Sequence, residues 1–176
     1  IKDLEFYDNG IYNDYLKIFD ETVSNVSSVL DVGCGSGFIT NFLARRHPNI
    51  QFDAVDFSES IEYAKEVSKR CNLKNVTFYK ENFLEWEAVK KYDVVICNGV
   101  LHHMPRYEQA LAKLKVLTND KLVIGVYNTF GKLLKKIIPV KYANEVLYVD
   151  QEECPFEMSF TDSEFRAKLE DFRLLK

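Results

Sequence analysis

The stretch from Val29 to Ile39 constrains the fold of this chain more than any other. A short apolar run ends in an acid and three glycines at alternate positions, and an apolar helical pattern follows. This order predicts a strand, a tight turn and a helix. Glycine adopts backbone conformations that residues with a Cβ avoid, and it lets a ligand approach the backbone. We therefore expect a ligand site at the carboxyl end of the strand.

Asp31 indicates which kind of ligand the turn would hold. A dinucleotide brings a pyrophosphate to the helix N-terminus, where a carboxylate two residues before the first glycine would repel it. S-adenosylmethionine carries no phosphate, and a carboxylate attracts its sulfonium and ammonium. The spacing agrees, because Gly-x-Gly-x-Gly is present and Phe38 stands where a dinucleotide fingerprint would have its last glycine. The chain here resembles the class I S-adenosylmethionine-dependent methyltransferases.

The resemblance implies a set of residues around the methionyl part of S-adenosylmethionine. These residues are Asp31, Gly33, Cys34, Gly35 and Gly37. Asp56 ends a second predicted strand about 20 residues beyond the turn, where a carboxylate can accept hydrogen bonds from ribose hydroxyls. A helix-capping acid is the alternative interpretation of Asp56. We assign the next residue, Phe57, to the same cofactor site and expect Ser58 to cap the following helix.

Asn82 and Phe83 follow a third predicted strand. The family commonly places a polar residue and an apolar neighbour here, to hold the adenine amino group and flank its ring. An amide replaces the more usual acid in this chain, and it can still bind the base edge because it offers a donor and an acceptor. Phe83 could equally belong to the core.

A second resemblance to the family lies after the fourth predicted strand, where the sequence runs Asn98-Gly99-Val-Leu-His-His. Val-Leu-His-His at this place is common in branches of the family that act on small molecules. Asn98 and Gly99 would lie beside the transferring methyl group, with Asn98 on the cofactor side and Gly99 on the acceptor side. His103, or less favourably His102, is a candidate general base. Adjacent side chains diverge, so we expect no shared metal ion.

Strand and helix patterns alternate along the chain, which predicts an α/β fold. We expect a Rossmann-like, doubly wound, mostly parallel sheet with helices on both faces. Pro105 opens a helix in this prediction, and Lys121 begins a fifth strand. The final residues resemble the start of a strand, and the chain begins at Ile1 without a methionine. We therefore expect the C-terminal strands to be incomplete.

One domain is expected, since 176 residues with 47% hydrophobic composition suit a single core. We divide it into an N-terminal cap helix (1–27), a cofactor-binding core (28–126), an acceptor-side insertion (127–160) and a last helix with the start of a strand (161–176). Tyr7 in the first segment and Tyr127 and Asn128 after the fifth strand are candidates for the acceptor side.

Composition limits which class of methyl acceptor and which cellular compartment we expect. A net charge of −4 gives no general attraction to a nucleic-acid backbone, so we expect a small or medium-sized metabolite. A transfer RNA stays possible because the insertion is rich in lysine, and a noncatalytic nucleoside-binding partner is the third alternative. Cysteines lie far apart, and no apolar run approaches the roughly 20 residues of a membrane span. We expect a cytoplasmic protein that uses neither a metal nor a membrane.

Overall fold

The computed structural model describes residues 11–126 and 161–170. Strands and helices alternate along the first of these ranges. The strands are β1 (Ser28–Val32), β2 (Gln51–Asp56), β3 (Val76–Lys80), β4 (Tyr92–Asn98) and β5 (Thr118–Gly125). The helices are α1 (Ile11–Thr22), α2 (Phe38–Arg46), α3 (Ser60–Arg70), α4 (Tyr107–Leu117) and α5 (Asp162–Ala167), with a 3₁₀ turn over Leu101–His103.

The five strands form one parallel sheet in the order β3-β2-β1-β4-β5. The chain builds outward from β1 to β3 and then returns to the other side of β1 with β4. This reversal makes a crevice at the carboxyl ends of β1 and β4, where ligands bind in open α/β sheets. The predicted doubly wound parallel sheet is confirmed.

Both faces of the sheet are covered, because successive side chains of a strand point to opposite faces. Val29 in β1 packs with Phe19 of α1 and Leu43 of α2. Its neighbour Leu30 belongs to a second core cluster that includes Leu114 of α4. Asp31 therefore lies on the same face as Val29, toward α2, while its strand remains buried on both sides.

The first residues of the helices differ from the sequence predictions more than the strands do. The helix after β2 begins at Ser60, and Ser58 is not its cap, since its hydroxyl instead donates to Asp56. Pro105 lies before α4, which begins at Tyr107 after the 3₁₀ turn. β5 begins three residues earlier than Lys121, directly after the last residue of α4.

The start of α5 matches its sequence pattern. The Thr161 N–H donates to Glu164 Oε2 at 2.9 Å, and the Glu164 N–H donates to Thr161 Oγ1 at 3.3 Å, which is a reciprocal capping box. The candidates Tyr7, Tyr127 and Asn128, and the insertion 127–160, lie outside the described residues. None of the helices within 11–126 and 161–170 has the length and apolar character that crossing a bilayer requires.

Candidate cofactor site

Two of the three glycines after β1 serve packing. Gly33 has φ +73°, and a Cβ there would lie 2.2 Å from Cγ2 of Val100. Gly37 has φ +71°, and its Cβ would lie 2.4 Å from Cβ of Ala64 in α3. Both positions combine a left-handed backbone with a close neighbour, so only glycine fits them without rearrangement. Gly33 lets the turn pack against the loop after β4, and Gly37 lets it pack against α3.

Gly35 is different, because a Cβ at this position would enter open space. Its φ is +53°, and the nearest atom to a Cβ placed there would be Ser60 Oγ at 4.0 Å. The Gly35 N–H donates to Oδ2 of Asp56 at 2.7 Å, which ties the turn to the end of β2. Gly35 is therefore the position in this turn that a ligand can approach most closely.

Asp31 is a buried carboxylate beside the turn, with 4% of its surface exposed. Thr40 of α2 donates its hydroxyl to Asp31 Oδ2 at 2.5 Å. Burial, with a contribution from the negative charge of Asp56, raises the pKa of Asp31 to about 6, whereas the Thr40 bond opposes the shift. A cationic ligand at this place would favour the ionised form.

Asp56 is not the helix-capping acid that the sequence left open, because Glu59 is the N-cap of α3 and the Asp56 side chain bonds to Gly35 and Ser58. Its Oδ1 accepts from the Ser58 N–H at 2.8 Å and from the Ser58 hydroxyl at 2.6 Å, while Oδ2 accepts from Gly35. A carboxylate offers roughly four lone-pair directions. Asp56 thus holds the turns after β1 and β2 together, and a ribose that used both oxygens would displace at least one of these contacts.

The two residues predicted to flank the adenine lie in different environments. Asn82 is exposed, and its Oδ1 accepts from the Leu84 N–H at 3.1 Å. Phe83 is 4% exposed and belongs to the core cluster with Trp86. The ring of Phe83 is thus a core side chain rather than a surface for the base. Phe57 is 74% exposed at the end of β2, so it offers the free aromatic face on this side.

Asn98 and Gly99 lie at the carboxyl end of β4, which is the strand end that the sequence predicted for them. Asn98 donates its Nδ2 to the hydroxyl of Tyr15 in α1. Its Oδ1 lies only 2.1 Å from where a Cβ of Gly125 in β5 would stand. Gly99 has φ +76°, with open space around its Cβ position. The carboxyl end of β4 therefore presents an oriented amide beside an open backbone position.

Burial separates the two histidines. His102 is 1% exposed, whereas His103 is half-buried. The burial of His102 argues against a role as general base, because a sealed ring cannot exchange a proton with an acceptor in the crevice. The expected divergence of adjacent rings is also wrong, since their centroids lie 4.1 Å apart in the 3₁₀ turn.

A family model described as "Methyltransferase domain" matches residues 24–162, which is most of the chain. The chain belongs to this family. Its resemblance to the class I S-adenosylmethionine-dependent methyltransferases is thereby confirmed.

Among curated relatives, a malonyl-[acyl-carrier protein] O-methyltransferase of Bacillus cereus is 34% identical over 119 residues. The match covers 66% of this chain and 43% of that protein, so this methyltransferase domain spans less than half of its relative. A crystal structure of coclaurine N-methyltransferase, bound to N-methylheliamine and S-adenosylhomocysteine, is similar at a TM-score of 0.58 with 31% identity. That match covers 63% of this chain and 34% of the solved one.

A third comparison supports the fold over a longer range. Magnesium protoporphyrin IX methyltransferase from Synechocystis, solved with bound S-adenosylhomocysteine, matches with a TM-score of 0.67 at 20% identity. The match covers 91% of this chain and 72% of that one. At this identity the likeness concerns the fold alone.

Tyr15 and Thr40 contact candidate site residues of this methyltransferase domain, and the sequence did not identify either of them. Tyr15 belongs to the apolar helical pattern of α1, yet it is 39% exposed and contacts Asn98. Burial raises the pKa of its hydroxyl, and the charge of Asp31 contributes to the shift. Helical periodicity predicts which side of α1 faces the core. It does not predict that a side chain of α1 contacts the end of β4. Nothing in the sequence around Thr40 marks it as a partner of Asp31.

Proposed function

We propose that this chain binds S-adenosylmethionine and transfers its methyl group to a small or medium-sized metabolite. The observation that carries the proposal is the open space at Gly35 beside two carboxylates, Asp31 and Asp56, at the carboxyl ends of β1 and β2. Acids at both sides suit a ligand that bears positive charge at one end and ribose hydroxyls at the other. The same two carboxylates would repel a pyrophosphate at this place.

The residues present fit this cofactor. Asp31 supplies the buried negative charge for the ammonium and sulfonium, and Gly35 leaves room for the chain between them and the ribose. Asp56 accepts from ribose hydroxyls, with Phe57 available as an exposed apolar face for the base and Asn82 for its edge. When bound, S-adenosylmethionine supplies an electrophilic methyl group on its sulfonium.

The contribution of the protein to transfer is mainly alignment and exclusion of water. Asn98 lies at the end of β4, and its amide donates to Tyr15. Because this bond already fixes the amide, Asn98 can orient an acceptor with little further loss of conformational freedom. Gly99 leaves the neighbouring space open. His103 is the remaining candidate for accepting a proton, and a base is required only if the nucleophile must lose one.

Charge and relatives support a metabolite acceptor. The chain carries a net charge of −4, which repels rather than attracts a polyanion at long range. The relatives are named for O-methylation of malonyl-[acyl-carrier protein] and for N-methylation of coclaurine. The first name describes a malonyl group on a carrier protein and the second a small molecule, and the two differ in the atom methylated. We therefore propose the acceptor class and leave the methylated atom to experiment.

Titration calorimetry tests the cofactor first. Wild-type protein should bind S-adenosylmethionine and should not bind NAD. Asp31→Asn should weaken S-adenosylmethionine binding by about 1.5 to 3 kcal/mol, because it removes a charged partner. Asp93→Asn is the matched control, since Asp93 accepts from the Ser27 and Ser28 N–H groups at the opposite edge of the sheet. Binding of NAD alone would overturn the assignment.

Label transfer tests the acceptor. Wild-type protein and Asp31→Asn are incubated with methyl-labelled cofactor and either a metabolite extract or total RNA. We expect label in a small molecule with wild-type protein and much less with the variant. Label only in RNA would refute the metabolite proposal, and cofactor binding without transfer to any acceptor would favour a noncatalytic partner.

A further inference from the structure

The segment after β3 that carries Asn82 is a single helical turn. The N–H groups of Glu85 and Trp86 donate to the backbone carbonyl of Asn82 at 2.9 and 2.8 Å, and its side-chain Oδ1 caps the Leu84 N–H. We call residues 82–86 the adenine turn, because Asn82 is the proposed partner of the base. So short a turn has little stability of its own, and the position of Asn82 depends on what holds the turn.

Lys113 of α4 holds the other end of the adenine turn. Its ammonium donates to the carbonyl oxygens of Phe83 at 2.6 Å and Leu84 at 3.3 Å, and also to that of Trp86. An ammonium has three N–H donors, so these three carbonyls account for all of them. The same nitrogen lies 5.0 Å from the centroid of the Phe83 ring. Burial lowers the pKa of Lys113, which means that its charge has given up part of its hydration.

This contact joins the adenine turn to α4, a helix that lies elsewhere in the sequence. α4 is anchored in the core by Ala110 and Leu114, and Lys113 projects from it toward the turn. Phe83 fixes the middle of the turn by burial, whereas Asn82 lies exposed at its start. The three carbonyl bonds therefore limit how far the turn can rotate about the buried Phe83 ring.

We propose that Lys113 is a positioning residue for adenine recognition. It fixes the adenine turn so that the Asn82 amide meets the hydrogen-bonding edge of the base. The inference rests on the proposed function, because it requires Asn82 to lie in the S-adenosylmethionine site. It adds that base selectivity depends on a lysine that does not itself touch the ligand.

Loss of the ammonium should loosen the turn without unfolding the domain. Lys113 borders an open groove of about 590 Å³ that is also lined by Trp86 and Val116, so water can reach the abandoned carbonyls. Solvated carbonyls cost far less than buried unsatisfied ones. The turn would then sample several positions. The contact between Asn82 and the base would weaken, because Asn82 would spend less time in the position that binds the base.

The test compares two ligands that differ only in the base edge. S-adenosylhomocysteine carries adenine, and S-inosylhomocysteine carries hypoxanthine, in which an oxygen replaces the amino group. Wild-type protein should prefer the adenine ligand. Lys113→Met should weaken its binding by about five- to tenfold and change hypoxanthine binding by less than about twofold. Lys113→Arg should restore most of the preference, since a guanidinium also donates to several carbonyls.

Lys17→Met is the control, because Lys17 forms a surface ion pair with Glu21 and should leave the preference unchanged. The inference is overturned if Lys113→Met keeps the wild-type preference, or if it weakens both ligands equally, as general destabilisation would. If that variant does not fold, Lys113→Gln is measured by the same criterion. A wild-type protein that binds both ligands equally also overturns it, whereas one that binds neither refutes the proposed function itself.

Discussion

At the scale of single residues, the glycines after β1 have separate tasks that substitution can distinguish. Gly33→Ala adds a methyl group 2.2 Å from the Val100 side chain at φ +73°. Left-handed strain of about 1 to 2 kcal/mol and overpacking of about 1 to 3 kcal/mol should together destabilise the domain. Gly35→Ala brings only the strain, because its Cβ enters open space. It should instead weaken S-adenosylmethionine binding.

Urea unfolding and calorimetric titration of both variants check this division. We expect the free energy of unfolding to fall more in Gly33→Ala than in Gly35→Ala. We expect the affinity of folded protein to fall mainly in Gly35→Ala. Equal loss of stability in the two variants would contradict the packing role of Gly33.

The buried carboxylate of Asp31 makes stability and binding depend on pH in opposite directions. Its pKa is raised from 3.8 to about 6, so between these values the folded protein keeps a proton that the unfolded chain releases. The ligand-free domain should therefore lose about 2 kcal/mol of stability as pH rises from roughly 4 to 6. Binding of a cationic ligand should strengthen over the same range, because it requires the ionised form.

Unfolding and binding measured between pH 4.5 and 7.5 test the sign of both effects. Asp31→Asn should flatten the pH dependence that Asp31 causes in each. The hydroxyl of Thr40 can still donate to the new amide, so the variant keeps that contact. An unchanged binding profile in the variant would assign the dependence to another group.

At the scale of elements, sequence patterns predicted the strands better than the contacts between helices and strand ends. β1 and β4 are mostly apolar runs, and a glycine directly follows each of them. The 3₁₀ turn over Leu101–His103 carries no distinct pattern, and its tight geometry is what brings the two histidine rings together. Burial of Phe83 could not be predicted either, because an apolar residue suits a core and an adenine pocket equally.

The contact between α1 and β4 is an element-scale feature that only the structure shows. Tyr15→Phe removes the hydroxyl that accepts from Asn98, while the ring keeps its edge contact with Phe19. We expect a loss of about 1 kcal/mol in stability and a several-fold lower kcat on an identified acceptor. Affinity for S-adenosylhomocysteine should change little, because Asn98 would act mainly on the acceptor.

A double-mutant cycle with Asn98→Ala isolates this contact from general effects. Tyr15→Phe should have almost no further effect on kcat once Asn98 is replaced, which would give a coupling of about 0.5 to 1.5 kcal/mol. Tyr63→Phe in α3 is the control, since Tyr63 is another partly exposed helix tyrosine. Additive effects of the two substitutions would show that Tyr15 and Asn98 act independently.

At the scale of the whole molecule, parallel strands explain why distant residues share one site. All five strands end at the same edge of the sheet, so the turns bearing Gly35, Asp56, Asn82 and Asn98 converge there. Their separation along the chain carries no information about their distance in space. The opposite edge has its own polar contacts, such as Asp93 with the start of β1, and these serve folding.

The two edges should therefore respond differently to ligand. S-adenosylhomocysteine at 100 times its dissociation constant should raise the free energy of unfolding by about 2.7 kcal/mol through mass action alone. Amide hydrogen exchange under conditions of local opening should slow most in the turns after β1, β2 and β3. The Ser27 and Ser28 amides at the opposite edge should change only with global stability. Protection spread evenly over both edges would mean that ligand stabilises the domain without occupying the carboxyl edge, and it would contradict the proposed site.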